Sequence, residues 1–66
     1  MMLYIYLLNY RPENLWDYHE KIQTSNMLNK NIIWCRWDAD TKELKINFDK
    51  ELSADDKQIL DNLVGS

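Results

Sequence analysis

The segment NIIWCRWDADTKELKINFD (residues 31–49) carries the strongest structural signals in this chain. From Leu44 to Phe48 apolar and polar residues strictly alternate, which is the pattern of a β-strand with one face in water. The preceding run, residues 32–37, is rich in β-branched and aromatic residues that favour a half-buried strand. A short polar segment separates the two runs. Together they predict a β-hairpin against which the rest of the chain packs.

The length of the hairpin loop determines which side chains enter the core. The segment between the strands has no glycine and no Asn-Gly pair, so we expect a four-residue loop over residues 39–42, built on a type I turn. This loop places Asp38 opposite Glu43 and turns Trp34 outward. It also gives one wholly apolar face, made of Ile33, Cys35, Trp37, Leu44, Ile46 and Phe48. A loop with an odd number of residues would turn Cys35 and Trp37 toward water.

The composition limits the classes of partner. The chain has 66 residues, which we interpret as a single α+β domain over 1–66, and a domain this small buries only about 60% of its unfolded surface. Eight basic residues against eleven acidic ones, with a pI near 4.9, argue against binding duplex DNA or an anionic membrane.

The cysteine count and the N-terminal residues bear on location. A single cysteine cannot form an internal disulfide, so we expect a reducing, cytoplasmic compartment. The apolar start, MMLYIYLL, lacks the basic region of a signal peptide and is too short to span a bilayer. We therefore expect the mature chain to be the encoded chain, without a membrane role.

The N-terminal half predicts a strand and a helix. We expect residues 2–10 to form a strand with apolar or aromatic side chains on both faces, which indicates either a covered strand or one that awaits a partner. Pro12 is expected at the first helical position. Met27 and Leu28 are expected to pack under the sheet. One face of the helix carries Leu15, Tyr18, His19 and Ile22.

The C-terminal residues contain the clearest helix start. Ser53 is expected as the N-cap, with Asp56 reaching back as in a capping box. Gly65 is expected as the C-terminal cap. The buried face of this helix is expected to be Ile59, Leu60, Leu63 and Val64.

The predicted order is β-α-β-β-α, with a three-stranded mixed sheet and two helices on one face. The helical connection between the first two strands predicts that they run parallel as neighbours. Spatial order 1-2-3 is favoured, and order 2-3-1 remains open.

No catalytic or metal site is expected. His19 is the only histidine and lies on the apolar helix face, where a structural role is the simpler interpretation. Cys35 could pair with it as a nucleophile, but no glycine-rich oxyanion loop is present. Turn formation and helix capping explain the acidic residues without metal. These are Asp38, Asp40, Glu43, Asp49, Glu51, Asp55 and Asp56. No cofactor-binding motif is found.

The uncovered face of the sheet is the candidate binding surface. Aromatic and basic residues on one face of a sheet occur in protein interfaces and in platforms for single-stranded nucleic acid. The acidic net charge favours a protein partner or self-association, with single-stranded nucleic acid as the alternative. The candidate residues are Tyr4, Tyr6, Tyr10, Trp34, Arg36 and Lys45.

The segment INFDKELSADDKQILDNLV (residues 46–64) resembles the ends of small proteins encoded among the structural genes of tailed phages and prophages. In those proteins a strand ending in Phe leads to a Leu-Ser or Leu-Thr helix cap and an acidic helix closing on Leu-Asp-x-Leu/Ile-Val. The upstream helix, with Leu15 and His19, is similar in order. The tyrosine-rich first strand and the WCRW run (residues 34–37) are not part of that pattern. The resemblance implies a virion-associated or assembly-accessory role, in the host cytoplasm or the virion, and no catalytic residues.

Overall fold

Five elements follow one another in the predicted order. The computed structural model describes residues 2–65. Its elements are β1 (Met2–Leu7), α1 (Trp16–Gln23), β2 (Ile32–Asp38), β3 (Glu43–Phe48) and α2 (Ala54–Gly65). The α+β class and the β-α-β-β-α order are therefore confirmed. No helix of residues 2–65 has both the length and the apolar composition that a membrane span requires.

The sheet order differs from the one that the sequence favoured. The order is β1-β3-β2, and β1 and β2 are both antiparallel to β3. The expectation of a mixed sheet with β1 beside β2 was wrong, and the order left open, 2-3-1, is the one observed. β1 and β2 still run in the same direction, but β3 lies between them. This arrangement makes every pairing antiparallel, which is slightly more stable per residue than parallel pairing.

Over most of the hairpin, the side chains point to the predicted faces of the sheet. The loop is residues 39–42, Asp38 lies opposite Glu43, and Trp37 lies opposite Leu44, as predicted. Cys35 lies opposite Ile46.

A bulge interrupts the pairing at the start of β2. The register shifts between Ile32 and Trp34, so that Ile32 rather than Ile33 lies opposite Phe48. Ile33 is exposed, and its predicted place on the inner face was wrong. The extra residue in the bulge turns the side chains that precede it to the opposite face of the sheet, and an alternation pattern cannot indicate such a change.

One core joins the inner face of the sheet to both helices. The inner-face residues of β3, Leu44, Ile46 and Phe48, are fully buried because β3 is the central strand. Cys35 and Trp37 pack against this core from β2, as predicted. The other buried apolar side chains come from β1, both helices and the connections: Tyr4, Leu8, Tyr18, Ile22, Met27, Leu52, Leu60 and Val64. Leu28, by contrast, is 89% exposed, so its predicted burial was wrong.

The predicted start of α2 is confirmed, but the predicted start of α1 was wrong. α1 begins at Trp16, not at Pro12, and its N-cap residue, Leu15, makes no side-chain capping bond. The Asn14 Oδ1 atom accepts a hydrogen bond from the Trp16 N–H at 3.0 Å. Ser53 caps α2 as predicted, since its Oγ atom accepts from the Asp56 N–H at 3.2 Å. The carboxylate of Asp56 does not reach back to Ser53. It binds the loop before β2 instead.

Candidate functional site

The uncovered side of the sheet is called the open face here, and it consists of three columns of side chains. The pairing register places them in rows across the strands. β1 contributes Leu3, Ile5 and Leu7, β3 contributes Glu43, Lys45 and Asn47, and β2 contributes Trp34, Arg36 and Asp38. One edge column is thus wholly apolar, and the other two are mostly polar.

The β1 column is the most exposed apolar feature of the sheet. Leu3 is 42% exposed, Ile5 is 49% exposed and Leu7 is 77% exposed. β1 lies at an edge of the sheet, so one side of its backbone has no strand beside it. A long, uncharged edge strand with exposed apolar side chains is a template for pairing with another chain.

The backbone groups of β1 alternate between β3 and the free edge. The Leu8 N–H donates to the Lys42 carbonyl at 2.9 Å, which continues the β1–β3 ladder by one residue. In an antiparallel pair, residues that bond the partner strand alternate with residues whose N–H and C=O point away from it. The outward-pointing residues of β1 are therefore Leu3, Ile5 and Leu7. The same three residues present both their side chains on the open face and their backbone groups at the free edge.

The β2 column places an aromatic ring beside a cation. The guanidinium of Arg36 lies 4.7 Å from the centre of the Trp34 ring, and Trp34 is 37% exposed. Such a contact holds both side chains in a defined position. Trp34 faces outward, as predicted, while its neighbour Cys35 faces inward.

The charges of the open face cancel. Lys45 Nζ lies 3.6 Å from the Asp38 carboxylate and 3.9 Å from that of Glu43. Together with Arg36, the open face holds two basic and two acidic side chains, a net charge of zero. The surface therefore lacks the positive potential that a phosphate backbone requires.

Two of the predicted contact residues lie on the other side of the sheet. Tyr4 and Tyr6 face the helices, because they alternate with the residues of the apolar column. The Tyr4 hydroxyl accepts from the Leu52 N–H at 2.7 Å, and the Tyr6 hydroxyl donates to the Asp61 carboxylate at 2.6 Å. Burial, and then the bond to Asp61, raises the pKa of Tyr6. Their assignment to the open face was wrong: strand one is apolar on both faces, so its own pattern did not show which face turns inward.

Tyr10 also lies away from the open face. It follows the end of β1 and is exposed. Burial raises the pKa of Tyr18 in α1, and the nearby Tyr10 hydroxyl raises it further, which places Tyr10 beside that helix. The open face thus holds Trp34, Arg36 and Lys45 of the six predicted residues. The sequence reasoning missed Leu3, Ile5 and Leu7 on the open face, although the two apolar faces of the first strand had left open a strand that awaits a partner.

The alternative nucleophile pair lies in a separate groove. His19 and Cys35 both line a cleft of about 260 Å³ between α1 and β2, and the His19 ring stacks on Trp16 at 4.6 Å. No hydrogen bond joins His19 to Cys35 in the described part of the chain. Burial raises the pKa of the Cys35 thiol to about 11, whereas a nucleophilic cysteine needs a lowered pKa.

Within residues 2–65, no group of three or more His, Cys, Asp or Glu side chains is placed to hold a metal ion. Comparison of the chain with models of protein families, with curated proteins and with solved structures finds no match.

Proposed function

We propose that this chain is a non-enzymatic protein-interaction module that binds through the open face and the free edge of β1. The observation that carries the proposal is the apolar column of Leu3, Ile5 and Leu7, exposed at an edge of the sheet. In a chain whose core is otherwise closed by two helices, these side chains gain most from burial against another protein, at about 25 cal/mol per Å² of apolar surface.

The role that we propose is that of a phage-type structural or assembly-accessory protein. Support comes from the C-terminal resemblance, with a strand ending at Phe48 and a helix capped by Ser53. The order of these two elements agrees with that pattern. Such a role requires a contact surface and no reaction centre.

The nucleic-acid alternative has less support. Stacking platforms need several exposed rings and positive charge. Tyr4 and Tyr6 face the core, which leaves Trp34 as the ring on the open face, and the acidic neighbours of Lys45 balance its charge. A protein partner fits this apolar and neutral surface better.

The proposal is tested by comparing the tagged wild-type chain with an Ile5→Lys variant and with a Leu28→Lys control. Both substitutions replace an exposed apolar residue by lysine, but Leu28 lies in the loop before β2. The tagged chains are produced together with the products of the flanking genes, and the retained proteins are identified. We expect a defined partner, or self-association of the purified chain, that Ile5→Lys abolishes and Leu28→Lys preserves.

Trp34 provides the second variant. Trp34→Ala should weaken the contact by about 1–3 kcal/mol if this ring is an anchor of the interface. A chain that stays monomeric at high micromolar concentration and retains no partner more strongly than its Ile5→Lys variant would overturn the proposed function.

A further inference from the structure

The two edges of the sheet are not equally open to another strand. The β2 edge carries a bulge at Ile33 and the charged side chains of Arg36 and Asp38, which are features that prevent edge-to-edge pairing. β1 has no bulge, no proline and no charged residue over Met2–Leu7. A partner strand is therefore expected at the β1 edge.

The sequence of β1 reads the same in both directions. Residues 3–7 are Leu-Tyr-Ile-Tyr-Leu, which is a palindrome centred on Ile5. Two copies of such a strand, placed antiparallel about a two-fold axis at Ile5, align every residue with one of its own type. A symmetric dimer needs a patch that is complementary to itself, and this strand meets that condition.

We propose that the occupant of the β1 edge is a second copy of this chain, paired antiparallel about a two-fold axis at Ile5. The proposal rests on the proposed function for the use of this surface and adds the identity of the partner and the register. The two sheets then form one six-stranded sheet with both helix pairs on the same side.

The backbone geometry agrees with this register. The residues with outward-pointing N–H and C=O groups are Leu3, Ile5 and Leu7, and the register places Leu3 opposite Leu7 of the second copy and Ile5 opposite its own counterpart. Outward residues therefore meet outward residues, and the three pairs exchange about six hydrogen bonds. A shift by one residue would place outward groups opposite inward ones and lose these bonds.

The side chains and charges of β1 also favour this antiparallel register. On the open face, the two apolar columns lie side by side and shield one another from water. A two-fold axis places any charge near its own copy, so an uncharged strand avoids the like-charge penalty. On the inner face, Tyr4 lies opposite Tyr6 of the second copy. The paired segment is short, and an interface of this size is typical of a weak, reversible dimer in the micromolar range or weaker.

The first experiment measures the mass of the purified full chain by sedimentation over a range of micromolar concentrations. The wild-type mass should rise from 8.0 kDa toward twice that value. Ile5→Lys places two ammonium groups together on the axis and should remain a monomer, whereas Leu28→Lys should dimerise like the wild type. Tryptophan fluorescence and circular dichroism verify that each variant is folded.

The second experiment tests the register by disulfide formation in a Cys35→Ser background. Residues opposite each other in a hydrogen-bonded antiparallel pair have Cα atoms about 5.5 Å apart, which a disulfide can bridge. The Ile5→Cys variant alone should form a linked dimer. The Leu3→Cys variant alone should not, because its copy lies four residues away, about 13 Å along the strand. Mixing it with the Leu7→Cys variant should restore the link.

Three results would overturn the inference. They are a wild-type monomer at every concentration, equal dimerisation of Ile5→Lys and wild type, and linking of the Leu3→Cys variant alone as fast as the Ile5→Cys variant. A monomeric chain that still retains a different protein through Ile5 would refute the second copy as partner and leave the proposed function standing.

Discussion

Asp56 is the side chain that ties the loop before β2 to the start of α2. It is only 3% exposed, and its two carboxylate oxygens accept from the Leu28 N–H at 2.9 Å and the Asn29 N–H at 3.0 Å. Its own N–H is bound by Ser53. A buried carboxylate is stable when charged donors or several N–H groups satisfy it, and here the backbone does so. This role belongs to the fold, because the bonds join residues that are 27 and 28 positions apart.

We predict that Asp56→Ala lowers the free energy of unfolding by about 1–3 kcal/mol, because two part-buried N–H groups lose their carboxylate acceptor. Asp55, its exposed neighbour in the first turn, is the matched control. Asp55→Ala removes only a favourable interaction with the helix dipole, worth about 0.3–1 kcal/mol. Urea unfolding followed by tryptophan fluorescence measures both values. Equal losses for the two variants would show that the loop bonds contribute nothing.

Cys35 packs against the core, and its thiol loses its proton less readily than that of an exposed cysteine. Burial raises its pKa from 9.0 to about 11, so at pH 8 the folded chain holds about 100-fold less thiolate than an ordinary cysteine. The raised pKa means that burial of the neutral thiol stabilises the fold below pH 9. This contribution is lost as the pH rises from 9 to 11, since the unfolded chain then releases the proton first.

We predict that iodoacetamide alkylates Cys35 slowly in the folded chain at pH 8 and that the rate climbs until about pH 11. Unfolding in urea should restore the rate of a free cysteine at pH 8. Mass spectrometry of the quenched reaction follows the modification. Rapid alkylation of the folded chain at pH 7 would instead favour the nucleophile hypothesis with His19.

The strand β1 packs one face against the core and exposes the other on the open face. Its even-numbered tyrosines fix the strand to the segment around α2, while its odd-numbered residues face outward. The Tyr4 ring packs edge-on against Phe48 at 5.7 Å, and its hydroxyl binds the Leu52 N–H just before α2. The Tyr6 hydroxyl binds the exposed carboxylate of Asp61 within α2.

We predict that Tyr4→Phe and Tyr6→Phe differ in cost, although each removes one hydroxyl from the same face of β1. Tyr4→Phe leaves the buried Leu52 N–H without an acceptor, which should cost about 1–2 kcal/mol of unfolding free energy. Tyr6→Phe removes a bond to the Asp61 carboxylate, which is already exposed to water and keeps Lys57 as a partner, and should change stability by less than about 0.5 kcal/mol. Denaturant titration of the two variants tests the difference, and a larger loss for Tyr6→Phe would contradict it.

The neighbours of an element were harder to predict than the element itself. The alternation over residues 44–48, the loop over 39–42 and the Ser53 cap are local signals, and all three were read correctly. The choice of β3 rather than β2 as the neighbour of β1 depends on which arrangement buries more of β3. The bulge at Ile33 is likewise not marked by any residue in the run IIWCRW.

For the molecule as a whole, size limits stability. A 66-residue chain has a thin margin between burial and conformational entropy, and in this fold part of the apolar surface of β1 remains exposed. Association of two copies would bury that surface. It would also stabilise the folded state by mass action, because only folded chains can pair.

We predict that the melting temperature of the wild-type chain rises with protein concentration and that the melting temperature of Ile5→Lys does not. Both chains should share one baseline at low concentration, since Ile5 is half-exposed and contributes little to the monomer core. Differential scanning calorimetry over a wide concentration range measures the trend. A wild-type melting temperature independent of concentration would count against the dimer.

The order of the five elements, the α+β class and the orientation of Cys35, Trp37 and Trp34 could be predicted from the sequence, because they depend on side-chain period and caps within a few residues. The position of β1 beside β3, the inward orientation of Tyr4 and Tyr6, and the bonds of Asp56 to a loop instead of its own helix could not be predicted in this way. Each of these depends on contacts between residues far apart in the chain. Such contacts are selected by the total surface buried, and no local pattern records that quantity.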